Sequence, residues 1–361
     1  MERIYNFNPG PANLPLEVLE EAQQEFLNYK GTGMSIMESS HRAKEYEAVN
    51  AEAEANVKEL LGLGTNYRVL FLQGGATTQF AMVPMNFLTA DTTADYVVTG
   101  VWSEKALKEA KLFGNTNIAF NSKETNHNRI PSIEEIKLSA NPAYIHLTSN
   151  NTIFGTQWQD FPDFGNHPLI ADMSSDIMSK PFDANKFAII YAGAQKNLGP
   201  SGVTVVIIRE DMVAKSRSDI PTMLRYNIHA ENNSLFNTPP TFSVYIVNLV
   251  TRWLKKLGGL EKIAEINKRK AGYIYDAIDA SNEFYKGHAQ KDSRSLMNIT
   301  FTLPNADLEK EFANLATKQG LIGLKGHRSV GGMRASTYNA MPEAGCKALA
   351  ELMKDFQGKN S

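Results

Sequence analysis

Short apolar runs recur along the first two-thirds of the chain, several of them hydrophobic at successive rather than alternate positions. Strands are predicted over residues 69–72, 96–99, 144–147, 169–171, 188–191 and 203–208. Apolar residues on both faces suit strands that are covered on both sides, as in a parallel sheet. Between some of these runs lie amphipathic stretches with helical spacing. Residues 15–29 carry Leu16, Leu19, Ala22 and Phe26 on one face, and 43–61 and 103–113 repeat the pattern. This alternation predicts an α/β fold with a mainly parallel open sheet wrapped by helices. From about Thr241 the texture changes. Helical stretches at 243–256 and 260–280 lead to a strand at 297–302, a helix at 307–319 and a terminal helix from Pro342. A smaller C-terminal α+β domain is expected. The division is a large domain over 16–258, with 1–15 and 259–361 forming the small one.

Composition narrows the class. With 361 residues, 42% of them hydrophobic, the chain can bury a sizeable core. Its net charge of −2 provides no broad positive field for nucleic acid or an anionic membrane. The lone cysteine, Cys346, excludes an intramolecular disulfide and a cysteine-rich metal centre. The apolar runs are too short to span a bilayer, and the start of the chain lacks the hydrophobic stretch of a signal peptide. A soluble cytoplasmic protein is expected, with no metal, membrane or nucleic-acid partner.

In open α/β sheets ligands gather at the carboxyl ends of strands. After 69–72 comes QGGATT (73–78), a small-residue turn opening onto a helix. Such a turn offers bare N–H groups and a helix dipole to a phosphate. It has neither the dinucleotide spacing nor the Lys-Ser/Thr ending of a P-loop. After 96–99 come Gly100 and Trp102, after 144–147 the polar cluster TSNNT (148–152), and after 169–171 Asp172. Lys196 lies between two apolar runs, among Gly193, Gly199, Pro200 and Gly202. Each has a plainer reading alone: Trp102 as core, Asp172 as a turn former, Lys196 as a lysine snorkelling from a loop. A lysine between buried strands is nevertheless unfavourable unless paired, deprotonated or covalently engaged. One chemistry uses the whole set, that of pyridoxal 5′-phosphate (PLP). A lysine forms an imine with its aldehyde and an aspartate keeps its ring nitrogen protonated. An aromatic residue stacks on the ring, and a glycine-rich turn holds the phosphate.

Together, NFNPGPA (6–12), GMSIMESSHR (33–42), LQGGATTQF (72–80), TGVWS (99–103), AGAQKNLGPSG (192–202) and GGMRASTYN (331–339) carry a resemblance over nearly the full length. The chain resembles the class V aminotransferases of PLP fold type I, and within them the phosphoserine aminotransferases. The resemblance implies one PLP per subunit, with Lys196 as the Schiff-base lysine, Asp172 on the ring nitrogen and Trp102 stacked on the ring. Thr152 would bond the 3-hydroxyl, while Ala76, Thr77 and Gln195 would hold the phosphate. Asn237 and Thr238 match a loop that reaches the phosphate across a homodimer interface. Arg334 would grip the substrate α-carboxylate. The pairs His41–Arg42 and His327–Arg328 would hold a phosphate or the glutamate side-chain carboxylate. Singly, each arginine reads more simply as a surface residue. Some members have Gly-Arg where this chain has Ala76 and Thr77, so one phosphate-contacting arginine is missing.

The implied reaction is reversible transamination of O-phospho-L-serine and 2-oxoglutarate to 3-phosphohydroxypyruvate and L-glutamate, in serine biosynthesis. Some bacterial members also use 4-phosphohydroxy-L-threonine in pyridoxine biosynthesis. Rival readings are alanine or serine:glyoxylate transamination, cysteine desulfuration and a non-catalytic PLP-binding protein. Desulfuration needs a reactive thiol on a mobile loop, whereas Cys346 reads as part of the terminal helix.

Overall fold

The computed structural model describes residues 3–328 and 330–360. A short strand β1 (Tyr5–Asn6) precedes helices α1 (Leu16–Gln24) and α2 (Lys44–Leu60). Strands and helices then alternate: β2 (Tyr67–Leu72), α3 (Gly75–Phe87), β3 (Thr93–Val98), α4 (Val101–Ala110), β4 (Asn115–Asn121) and β5 (Tyr144–Thr148). A small hairpin, β6 (Asn150–Asn151) and β7 (Thr156–Gln157), leads to β8 (Leu169–Asp172), β9 (Ile189–Gly193) and β10 (Thr204–Arg209). Next come α5 (Glu210–Ala214), α6 (Tyr226–Glu231) and two long helices, α7 (Thr241–Leu257) and α8 (Gly259–Asp279). The remainder is β11 (Lys286–Gly287), β12 (Asn298–Thr302), α9 (Ala306–Lys318), β13 (Leu321–Ile322), β14 (Met333–Ser336) and α10 (Glu343–Asn360).

The main sheet has the order β2-β10-β9-β8-β5-β3-β4. Its neighbours pair in parallel except at β10, which is antiparallel to both β2 and β9. Chain length explains the exception. The turn from Ala194 to Val203 is too short for the crossover that parallel pairing requires, so the lysine segment folds back as a hairpin. The other six strands end on the same edge. Both sheet faces are covered. Leu147, Ala171, Ile190 and Val205 pack with Val57 of α2 and Val247 of α7, and Tyr96, Ile170 and Tyr191 pack with Phe80 of α3 and Leu107 of α4. Each such fully buried large side chain contributes about 1.5–3 kcal/mol.

Three local expectations change. Strand β4 was not anticipated, because its sequence NTNIAFN has no apolar run; it is an edge strand with Ile118 46% exposed, and edges favour polar residues. Helix α1 stops at Gln24 rather than Tyr29, and Tyr29 instead packs edge-on against Tyr245, with ring centroids 5.6 Å apart. Helix α4 begins at Val101, ahead of the predicted Ser103.

After α7 the chain turns at Gly258, whose φ of +110° suits glycine. A second core forms from Ile274, Phe301, Phe312 and Phe356 around the antiparallel sheet β11-β12-β14. Strand β1 pairs in parallel with β13, Tyr5 beside Leu321. This pairing supports the division into 16–258 and 1–15 with 259–361, which we propose. Cys346 is fully buried in α10 and burial pushes its thiol up to about 12, so it is not a nucleophile. No described helix is long and apolar enough to cross a membrane.

Candidate active site

Asp172, the last residue of β8, is 5% exposed. Its Oδ1 accepts hydrogen bonds from the Ser174 backbone N–H (2.9 Å) and hydroxyl (2.6 Å). Among the described residues Oδ2 accepts none, so one oxygen is fixed and the other is left for an arriving donor. Burial raises the carboxyl pKa, opposed by Ser174 and by the Lys196 ammonium. The Gly193 N–H donates to the Ser174 hydroxyl at 3.1 Å, tying this strand end to the lysine turn.

That turn is closed by the Gly199 and Leu198 N–H groups, which donate to Ala194 O at 2.8 and 3.1 Å. Asn197, beside Lys196, donates through Nδ2 to Ile177 O and accepts at Oδ1 from the Asn339 N–H, both at 3.0 Å. The N-terminal segment crosses the lysine. Ala12 N–H donates to Gln195 O at 2.9 Å and the Tyr338 hydroxyl donates to Pro9 O at 2.8 Å. Gly10 (φ +130°) approaches so closely that a Cβ there would lie 3.3 Å from Lys196 Cγ. Lys196 keeps some exposure, yet burial brings its amine down to about 8, with Asp172 opposing, Arg334 reinforcing and Asp176 opposing. A neutral amine is therefore accessible near physiological pH.

Ser103 explains the early start of α4. Its hydroxyl accepts from the Thr99 (3.0 Å) and Gly100 (3.1 Å) N–H groups, so the helix starts directly after β3. Trp102 lies in the first turn, half-buried, and Nε1 donates to Thr152 Oγ1 at 3.0 Å. The Thr152 hydroxyl accepts this bond and retains its proton for another partner. Helix α3 follows Gly74 (φ +90°) and opens at Gly75 (φ +65°). Ala76 and Thr77 occupy its first turn, where N–H groups have no intrahelical acceptor. Gln195 is half-buried beside Lys196.

Arg334 on β14 is 6% exposed and donates through Nη1 to Thr152 O at 2.9 Å. Its Nε is buried without an acceptor, and no described carboxylate pairs with it. Burial lowers its pKa, but guanidinium stays charged. A buried cation without a counter-ion is unfavourable, and an incoming carboxylate would relieve it. His327 and Arg328 lie on the loop before β14, whose Val330 and Gly331 N–H groups both donate to His327 O at 2.9 Å. Burial, then the charges of Arg334, Arg328 and Lys105, lower the His327 pKa.

His41, Arg42, Asn237 and Thr238 form a separate group. His41 Nδ1 is 3.3 Å from Thr238 Oγ1, Arg42 Nε donates to His41 Nε2 at 3.5 Å, and Asn237 Nδ2 donates to Thr238 O at 3.2 Å. No hydrogen bond or ion pair of the described residues joins them to Lys196, Asp172, Thr152 or Arg334.

Sequence reasoning missed Ser174, Asn197, Asn339 and Asp176. Asp176 is buried, accepts from the Ser149 hydroxyl and from Gln157 Nε2 (3.0 Å), and its charge favours protonated Lys196. Its proximity to Asp172 in sequence was visible. Its burial was not, since that depends on Ser149, just before β6, and Gln157 of β7.

PLP fits these residues. An acid has a spare oxygen for a ring nitrogen, a hydroxyl has a spare proton, a helix start suits a phosphate, and an amine has a lowered pKa. The model of the aminotransferase class-V family matches residues 4–349. The chain is 61% identical over 356 residues to phosphoserine aminotransferase of Herpetosiphon aurantiacus, covering 99% of each. The solved phosphoserine aminotransferase from Bacillus circulans subsp. alkalophilus superposes with a TM-score of 0.98 at 59% identity, covering 100% of both chains. A PLP-bound phosphoserine aminotransferase from Trichomonas vaginalis gives 0.92 at 40% identity, covering 98% of this chain and 100% of the other. With a family match over almost every residue and a site shaped for the cofactor, the chain belongs to the class-V aminotransferases and is a PLP-dependent transaminase.

Proposed function

We propose that this chain interconverts O-phospho-L-serine and 2-oxoglutarate with 3-phosphohydroxypyruvate and L-glutamate, in serine biosynthesis. It works as a homodimer with one PLP per subunit, held on Lys196. The observation that carries the reading is Arg334, a buried guanidinium with an unsatisfied Nε beside Thr152. It suits the α-carboxylate common to both amino acids. Arg328 adds positive charge on the neighbouring loop, where His327 is held towards its neutral form, and relatives named phosphoserine aminotransferase support the phosphorylated substrate.

When bound, PLP supplies a ring that accepts the charge left on the substrate α-carbon as its proton departs. Asp172, steadied by Ser174, keeps the ring nitrogen protonated. The Lys196 amine, with a pKa near 8, would take the proton from the substrate α-carbon and deliver it to the cofactor's aldehyde-derived carbon, on the far side of the substrate nitrogen. Trp102 would cover the ring and Thr152 would donate to its hydroxyl oxygen. Ala76, Thr77 and Gln195 hold the cofactor phosphate. Arg334 orients the α-carboxylate, so the scissile C–H bond stays beside the amine.

The second residue group would act on the partner's site. Asn237 and Thr238 would complete the cofactor phosphate cradle, and His41 and Arg42 would bind the substrate's distal anion. Exposed apolar residues in the same segments support this: Leu27 is 81% exposed, with Phe26, Met34, Met37 and Phe236 each above 40%. The test is spectral titration of the holoenzyme with O-phospho-L-serine, 4-phosphohydroxy-L-threonine, L-alanine and L-serine. Phosphoserine should react with the highest kcat/KM, and the phosphohydroxythreonine arm decides a role in pyridoxine biosynthesis. Equal turnover of alanine would replace this reading with a glyoxylate-type transamination.

A further inference from the structure

Lys105 has no role in the reading above. It lies on α4 one turn after Trp102, exposed, with Nζ 4.5 Å from the centroid of the Trp102 ring. A helix lysine on a surface usually meets a carboxylate one turn away. Here no described carboxylate pairs with it, and its neighbour Glu104 points instead to His127 Nε2, at 3.8 Å. Its ammonium therefore rests on an indole face, a weak attraction at an exposed site. A phosphate dianion would out-compete that contact, because charge-assisted pairing with phosphate oxygens is far stronger.

The location is also selective. Trp102 is the indole held by Thr152, and Thr152 in turn holds Arg334. Lys105, Arg328 and Arg334 all lie close enough to His327 to act on its charge. Lys105 on the indole and Arg334 on Thr152 thus both reach the Trp102–Thr152 pair, with no described carboxylate paired to either. A fixed ammonium attracts a doubly charged group about twice as strongly as a singly charged one at equal distance.

We propose that Lys105 is a specificity-determining residue, which leaves the Trp102 face to pair with the phosphate of the substrate and favours it over glutamate's side-chain carboxylate. This rests on the phosphoserine reading. The test compares wild type with Lys105→Gln and Lys105→Arg holoenzymes, following cofactor absorbance in each half-reaction separately. In Lys105→Gln, kcat/KM for O-phospho-L-serine should fall about 10- to 100-fold, through KM, and at least fivefold more than kcat/KM for L-glutamate. Lys105→Arg should recover most of the loss. By calorimetry, inorganic phosphate should bind the Lys105→Gln holoenzyme several-fold more weakly than wild type. Equal losses on both amino acids, or none on phosphoserine with unchanged phosphate affinity, would overturn the proposal. A wild-type holoenzyme inert to phosphoserine removes the substrate reading and this one together, a different result from failure of Lys105 alone.

Discussion

Asp172, Thr152 and Arg334 are 5%, 3% and 6% exposed, and each is hydrogen-bonded to another residue of the pocket or its supports. Arg42 and Thr238 lie on the surface and, with His41 and Asn237, bond mainly to one another. The first group is pre-organised by its own chain, so its dipoles need no rearrangement when substrate arrives. The second is held by long bonds among its own members, next to apolar side chains left in water. On the proposed dimeric reading, one polypeptide builds half a site and would offer the complement of that half to a second copy.

The sharpest way to break this contrast is to separate the halves genetically. Lys196→Ala should lower turnover by at least about 10³-fold, and Arg42→Ala should impair phosphoserine turnover. If the halves act across an interface, a dimer mixed from these two variants contains one intact site, and activity returns on co-refolding. If no activity returns when mixed dimers have formed, Arg42 serves its own chain. Within the buried half, Arg334→Met should reduce kcat/KM for glutamate by about 10- to 100-fold, the worth of a charge-assisted bond. Borohydride labelling of the Lys196 peptide should persist. A loss under about threefold in stopped-flow half-reactions would remove Arg334 as the carboxylate anchor.

The smallest effect concerns acid. His146 on β5 is fully buried, bonded through Nε2 to the Tyr191 hydroxyl at 2.7 Å, and burial lowers its pKa from the ordinary 6.5 to about 3. The unfolded chain therefore takes up a proton first. This contribution to stability is whole above pH 6.5 and drains away as pH falls from 6.5 towards 3. Urea midpoints of His146→Gln should decline less steeply over pH 6.5–4 than those of wild type, although the variant starts lower. An unchanged slope would show that other groups govern acid unfolding.

Much of the buried half was legible because buried strands advertise themselves by apolar runs, and chemistry sits where those runs stop. Asp172 and Lys196 were found that way, and Trp102 was placed within one turn of its position. Residues whose role depends on distant partners were not legible. Asp176 needs Gln157, Asn339 meets Asn197 through tertiary folding alone, and Lys105 looked like any helix lysine until its indole neighbour was seen. Strand β4 escaped because an edge strand has no need of a hydrophobic face on both sides. Resemblance alone supplied the roles expected of Asn237 and Thr238, for which the residues themselves carry no signal.

The strap formed by residues 5–12 has a consequence for biosynthesis. Tyr5 finds its neighbour only at Leu321, and Pro9 finds Tyr338. During synthesis, Tyr5 and Pro9 must therefore wait for Leu321 and Tyr338 before this part of the strap can settle beside Lys196. A nascent chain can fold its large sheet first, but it cannot complete the surroundings of Lys196 until the segment carrying Tyr338 has been made.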